Sequence, residues 1–562
     1  MWGDTTLSAP QLLNGGEVHY LVCDYLAEVT MAIMAAQKMR KPEAGFATDF
    51  VKTMSQLLPT ILSKKVKVVV NAGGVNVEAC REALLKAASA AKVDVKVGAV
   101  LGDDLTERTD EFRDAKVSEM FSGAPFPAWT VSCNAYLGAF PIAQALADGC
   151  QIVITGRVVD SALVLGPLIH EFGWGPRDLD KLSQGTLAGH LVECGAQGTG
   201  GLFTDWKDVE SWVNIGFPIV EVQPSGEFIL TKPPGTDGLV SPATAAEQLL
   251  YEIHDPGAYH VPDVACDWTH VRIEQASEHA VRVTGARGQP PTTTYKCIAT
   301  YQNGFKFVTI GTVFGHQARD KAQRVAHTLL ARWRQIIQKA GKDDFFDSRI
   351  ELVGGDTEIT LRLSVKHLDR GALEPLKRES AAATVSMAQA GAVSPGTITP
   401  VVSAFCFLLD KKTVPCQVNS GNGPVAFEVS CAGGFVDSAS NRVVAVEAVR
   451  PRGPTAKVHL RRLCWARSGD KGDAANIGLI ARRPEYLPFL RHAVTCERVR
   501  MFFQPDCRGH VERFDLPGIN AMNFLLQNTL GGGGTSSLHV DPLAKTYGQR
   551  LLEMEVEAPA EW

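Results

Sequence analysis

The sequence predicts an α/β protein. Its N-terminal domain is built on a mostly parallel sheet, an α+β middle region follows, and a small α+β domain closes the chain. Three observations carry this expectation. From Glu17 to about Trp174 short apolar runs alternate with helical patterns, as β-α units do when helices cover both faces of a parallel sheet. From about 262 to 440 strand texture dominates around one long amphipathic helix, and from about 455 the alternation of short strands and helices resumes. A chain of 562 residues exceeds what one core serves, so domains are expected over 1–261, 262–449 and 455–562. The charged, proline-containing stretch 450–454 reads as the linker.

Composition narrows the function classes. A chain that is 45% hydrophobic and 21% charged is an ordinary globular protein. The net charge of −5 argues against nucleic-acid and anionic-membrane partners and leaves a small molecule as the expected one. Apolar runs long enough to span a bilayer are lacking. The 13 cysteines show neither a C-x-x-C pair nor Cys/His ligand spacing, which points to a reduced, cytoplasmic setting. Size and apolar helix faces favour a homo-oligomer.

In chain order, Tyr20–Cys23 reads as a buried strand, Leu26–Met39 as a helix, and Phe50, Met54, Leu58 and Ile61 mark one face of the next helix. Val66–Val70, Val93–Val100 and Ile152–Thr155 read as further strands, with helices at Glu78–Ala91 and Ala135–Ala147. Ligands of parallel sheets gather beyond the strand carboxyl ends, which singles out Asp24, then Asn71, Gly73 and Gly74, then Asp103 and Asp104, then Arg157 and Asp160. Each has a plainer reading as a helix cap or turn former. Arg157 either holds a substrate carboxylate through both oxygens or pairs with Asp160. His190, Glu193 and Cys194 fall at helical spacing, a pattern compatible with a Cys–His nucleophile or with an acid or base at His190 or Glu193.

Beyond Gly201 the hairpin-like FPIVEV and GEFILTK runs precede a helix at Pro242–Tyr251 capped by Ser241, and His254 and Asp255 lie within reach of the parallel-sheet site. In the middle region TYKCIATYQ and FKFVTIG read as two strands, and Arg319–Ala340 as a helix whose Val325, Leu329, Leu330 and Trp333 belong to a core or an interface. GTITPVVSAFCFLLD, from Gly396, reads as buried. Between strand-like Val458–Trp465 and Ile477–Ala481 lies ARSGDKGDAANIG, a polar loop in which Gly469 and Gly472 allow an anion-binding nest. Arg467, Ser468, Lys471, Asp473 and Asn476 supply donors and charge; a hairpin with a solvated tip is the alternative. Later come a helix at Glu485–Ala493, a strand-like Val499–Phe503, and a glycine run at 531–534. There Gly532, Gly533 and Thr535 offer backbone and hydroxyl donors to phosphate.

The segments DYLAEVTMAI (from Asp24), NAGGVN (Asn71), NAYLGAFPIAQAL (Asn134), ITGRVVDSALVLGPLIHEFGW (Ile154), GTLAGHLVECGAQGTGG (Gly185), ARSGDKGDAANIG (Ala466) and LGGGGTSSLHVDP (Leu530) together resemble the acyclic-terpene-utilisation (AtuA) family over nearly the whole chain. The resemblance implies a ferredoxin-like fold for the C-terminal domain. Members usually open with a strand and a loop ending in Trp-Gly-Asp; here Trp2, Gly3 and Asp4 follow the initiator methionine, so that strand reads as missing.

The family's pathway implies a branched, carboxylated acyl substrate, as a free acid or a coenzyme A (CoA) thioester. Nicotinamide, flavin, ATP and zinc fingerprints are lacking, so no cofactor is assigned, and lyase or hydro-lyase chemistry fits the residues. Glu193 or His190 would act as base with Asp24 and Asp104 in support, the Gly73 and Gly74 amides would hold an enolate, and Arg157 would anchor the carboxylate. A divalent metal at Asp24, Asp103 and Asp104 is compatible but not required. A non-catalytic subunit that binds acyl intermediates for a partner enzyme is the alternative.

Overall fold

The computed structural model describes residues 4–389, 391, 393–436, 447–450 and 453–562. Trp2 and Gly3 of the expected opening loop, and Pro451 and Arg452 of the expected linker, lie outside them.

The N-terminal part forms around strands β1 (Tyr20–Cys23), β2 (Lys67–Val70), β3 (Val97–Leu101), β4 (Ser132–Ala135) and β5 (Ile152–Thr155). Four of them run parallel in the order β1-β2-β5-β3. Their apolar runs are two-sided. Val68, Val70, Ile152 and Ile154 pack with helices Thr48–Ser63 and Val77–Ala90, whereas Val69 and Val153 join the core containing helices Phe140–Ala147 and Ala162–Phe172. Alternate residues of a strand face opposite ways, so an unbroken valine run serves both layers.

The strand Gln417–Asn419 returns to this sheet, pairing antiparallel with β3 and with Pro424–Ala426. In the opposite direction β4 leaves it to pair with the long strand Thr294–Phe314. The boundary expected at 261 therefore divides segments that share sheets. A predicted helix over Ala135–Ala147 is also corrected: Ala135 ends β4, and the helix starts only at Phe140. Between them the chain turns against Asp263, whose Oδ2 accepts from Ala139 N at 2.7 Å.

The middle sheet has the order Asp347–Gly354, Glu358–His367, Thr294–Phe314, Thr397–Asp410. Its 21-residue strand replaces the two predicted ones, because Asn303–Gly304 is absorbed as a bulge, with Gly304 at φ +82°. Helix Ala318–Lys339 packs Val325, Leu329, Leu330 and Trp333 into the core beneath this sheet, Trp333 meeting Phe307 edge-on at 5.2 Å. The run from Gly396 is less buried than expected. In Thr397–Asp410 only Val401, Phe405 and Phe407 are deeply buried, and Leu408 is 52% exposed.

The C-terminal domain is an antiparallel sheet, Cys464–Lys471, Ala474–Ala481, Ala521–Leu526, Val511–Leu516, with helices Tyr486–Ala493 and Cys496–Phe502. The second helix corrects the strand predicted at Val499–Phe503. Thr495 caps it through Arg498 N, and Glu497 pairs with Arg500 one turn on. ARSGDKGDAANIG is likewise a two-stranded hairpin, not an open loop: Arg467 pairs with Gly478, Gly469 with Asn476, and Lys471 with Ala474.

Candidate functional site

One cavity of about 2550 Å³ lies where the three regions meet. Its wall takes Asp24 from the end of β1, Arg157 and Asp160 from the turn after β5, and Glu193 from the end of helix Leu179–Val192. Tyr251, Glu252 and His254 follow helix Pro242–Leu249. Lys296 and Val402 come from the middle sheet, Lys471 from the hairpin, Gly532–Thr535 from the glycine run, and Lys545 from the turn before helix Tyr547–Leu551. Members of the residue sets predicted in the first and last domains, Asp24, Arg157, Asp160 and Glu193 with Lys471, Gly532, Gly533 and Thr535, thus share one space.

Asp24 is positioned by Asn71, which is fully buried just beyond β2. Asn71 Oδ1 accepts from Tyr25 N at 2.6 Å, and its Nδ2 donates to Asp24 Oδ1 at 2.6 Å. Asn71 therefore supports Asp24 from beneath and is not itself in the cavity wall. Arg157 donates to Asp160 Oδ1 at 2.7 Å, to Leu26 O at 3.0 Å and, through Nη2, to Tyr136 Oη at 3.1 Å. Arg157 thus makes the pairing with Asp160 that was the alternative to a carboxylate anchor, while it also lines the cavity.

Removal from water raises the Asp24 carboxyl to about 8, and the charge of Asp160 adds to this against the pull of Arg157. Burial likewise raises Glu193 well above the ordinary range, again helped by Asp160 and opposed by Lys471. The charge of Glu193 adds a little to the rise at Asp24.

His190 lies 1% exposed behind Glu193 and outside the cavity wall, packed against Trp268. Burial lowers it to about 4, so the ring is neutral at physiological pH. Its Nδ1 lies 3.1 Å from Glu193 Oε1 and its Nε2 3.1 Å from Leu249 O. A neutral imidazole has one N–H. Donation to the carbonyl leaves Nδ1 as an acceptor, and a protonated Glu193 satisfies it. His190 is thus a partner that keeps the proton on Glu193, not the base itself. The Cys194 thiol is raised well above its usual value by burial and by Glu193, and both ring nitrogens of His190 are used elsewhere, so the Cys–His nucleophile is corrected as well.

Three further expectations are revised. The Gly73 and Gly74 amides donate to Thr155 O and Asn71 O, so neither is available for an enolate. Asp103 accepts from Asn134 Nδ2 and Arg157 N in the interior, while Asp104 caps Thr106 and pairs with Lys38 at 3.7 Å. Neither is in the cavity wall. The two aspartates and Asp24 form no common metal site, and among the described residues no group of three or more His, Cys, Asp or Glu side chains is placed to hold a metal ion.

In the hairpin, Gly469 serves close approach in place of a nest. A Cβ there would meet Glu252 Cγ and Tyr251 Cε2 at 2.7 Å, and only Gly472, at φ +67°, turns left-handed. Arg467 donates to Gly201 O, Leu202 O and Gln197 and stacks on Tyr251 at 4.9 Å. Ser468 Oγ donates to Ala544 O and accepts from Gly548 N. Asn476 binds Leu250 O, Glu252 N and Asn523. Arg467 and Asn476 dock the C-terminal domain onto the first, and Ser468 ties the hairpin to the Ala544–Gly548 segment of its own domain. Asp473 Oδ1 accepts from Leu530 N and Gly532 N and so shapes the glycine run.

Lys545, Glu252 and Lys296 were not singled out by sequence. Lys545 Nζ lies 3.4 Å from Glu252 Oε1 and 4.2 Å above the Tyr251 ring, contacts between residues almost 300 positions apart that no local pattern announces. His254 does reach the wall. Burial and the charge of Lys471 lower it to about 3, and its buried Nε2 meets no partner among the described residues, leaving one hydrogen-bonding atom for a ligand.

Residues 1–420 match the family described as acyclic terpene utilisation family protein AtuA, and residues 458–557 match the AtuA ferredoxin-like domain. No curated protein matches the chain, and no solved structure does.

Proposed function

Because the chain belongs to the acyclic terpene utilisation family AtuA, we propose that it is an enzyme of acyl metabolism in that pathway. It acts by proton transfer, as a hydro-lyase or lyase, on a branched carboxylated acyl substrate held in the central cavity. The observation that supports this reading best is the pair of proton-holding carboxyls, Asp24 and Glu193, in one cavity wall with Lys471 and Lys545.

Two carboxyls raised out of the ordinary range in one site divide into acid and base. Glu193, held protonated against His190, is the acid, and Asp24 in its ionised form, whose share grows as pH approaches about 8, is the base. In the dehydration direction Asp24 takes the proton next to the acyl carbonyl. The carbon–oxygen bond of the 3-hydroxyl breaks, and the Glu193 proton leaves with that oxygen as water. One proton is gained and one lost by the pair, so the reverse reaction starts from the complementary state. Lys545, in the same cavity wall, is the cation for the substrate carboxylate and the developing enolate.

The test is incubation with branched 3-hydroxyacyl and 2-enoyl thioesters of coenzyme A and with their free acids, each mixture followed by mass spectrometry. A mass change of one water, or of an acetyl unit for cleavage, is expected. Glu193→Gln should lower its rate by about 10²–10⁴-fold with substrate affinity kept. Binding without conversion in the unmodified protein would instead identify a non-catalytic acyl carrier.

A further inference from the structure

The glycine run presents backbone donors to the cavity that the protein does not use. Gly531, Gly532, Gly533 and Gly534 stand at φ +65°, +96°, +67° and +47°, and they lead into a turn closed by Ser536 N and Ser537 N donating to Gly533 O. As in the first turn of any helix, the leading N–H groups of such a turn have no partner within it. The Gly533, Gly534 and Thr535 amides meet no acceptor among the described residues, and all three residues line the cavity.

The turn is fixed from outside. Asp473 Oδ1 holds Gly532 N at 2.7 Å, Lys306 Nζ donates to Thr535 O at 2.7 Å, and the Thr535 hydroxyl donates to Val402 O. Its inner side rests on the hairpin tip so closely that a Cβ on Gly533 would come within 1.9 Å of Gly472 O. That contact sets the amides beside Lys471, the preceding residue, in the same cavity wall.

We propose that this turn, with Lys471, binds a phosphate anion, and that the substrate of the proposed reaction therefore carries one, as a nucleotide-bearing thioester does. Pre-oriented amides beside an ammonium group are the recurrent chemistry of phosphate recognition. The carboxylate of Asp473 does not oppose it, being engaged by the Leu530 and Gly532 amides. The proposal rests on the acyl-substrate reading and adds what the acyl group is attached to. A phosphorylated handle bound here would leave the acyl end to reach Asp24 and Glu193.

Isothermal titration of the whole protein with coenzyme A, pantetheine and inorganic pyrophosphate tests it. Coenzyme A should bind at least tenfold more tightly than pantetheine, with pyrophosphate competing for the same site. Lys471→Ala and Gly533→Ala should each weaken coenzyme A and pyrophosphate at least tenfold and leave pantetheine unchanged. Equal affinity for coenzyme A and pantetheine would overturn the site in the unmodified protein, whether or not the variants fold. So would unchanged pyrophosphate binding in both variants. Phosphate-dependent binding without conversion of any thioester would keep this site and sink the enzymatic reading. Conversion of free acids without phosphate-dependent binding would do the reverse.

Discussion

The proton between Glu193 and His190 is the residue-scale feature on which the chemistry turns. A carbonyl occupies one ring nitrogen and a carboxyl the other, so the pair is satisfied only while the carboxyl is protonated. Glu193→Gln keeps a donor facing Nδ1, and it should fold with a stability at pH 8 equal to or above that of the parent while losing turnover. Urea titration beside an activity assay checks both halves. Asp24 makes a second prediction whose sign follows from its raised value. The folded state holds a proton up to about 8, while the unfolded chain releases it near 4, by the ordinary aspartate value. Between those limits the folded state binds more protons, so this group's contribution to stability falls as pH rises. Asp24→Asn should flatten the decline in stability from pH 5 to pH 8, measured by urea unfolding at the two ends. The candidate carboxyls could be read from their positions after a strand and near a helix end. Which one keeps a proton could not, since burial and the Asp160 charge come from distant elements.

At the scale of elements, periodicity located most of the N-terminal strands and helices, because both β-α layers write their burial directly into valine runs and helix stripes. It failed where a partner overrode local texture. Asn303–Gly304 has a turn's composition, yet continuous pairing on the flanking strand makes it a bulge. The polar hairpin Cys464–Lys471 and Ala474–Ala481 resembled a loop because Arg467 and Asn476 spend their polarity on the neighbouring domain and Ser468 on a distant segment of its own. Asn476→Ala should therefore cost about 1–3 kcal/mol, the usual penalty when buried polar groups lose their partner. The unfolding midpoint measures it. Gly469→Ala tests close approach: its Cβ would crowd Tyr251 and Glu252, with an expected loss of about 1–3 kcal/mol and disturbed placement of two cavity residues. A destabilised variant with unchanged ligand binding would separate docking from site geometry.

For the whole molecule, the central fact is convergence. Strands of the first and middle regions exchange places between sheets, and the C-terminal domain closes over the loops at the strand ends, so acids from one end of the chain and cations from the other share a cavity. Sequence order separates Asp24 from Lys471 by most of the chain, and only the assembled sheets bring them together. No helix among the described residues is long and apolar enough to cross a membrane. The claim that Asp24 and Glu193 move protons on a bound acyl group is tested most directly by hydrogen exchange at the substrate. A branched acyl thioester of coenzyme A lacking the 3-hydroxyl is incubated with the protein in deuterium oxide and the carbon next to its carbonyl is followed by NMR. The account predicts deuterium at that carbon with the unmodified protein and at least a hundredfold slower incorporation with Asp24→Asn. No incorporation above the protein-free rate, or an equal rate in the Asp24→Asn variant, would contradict it.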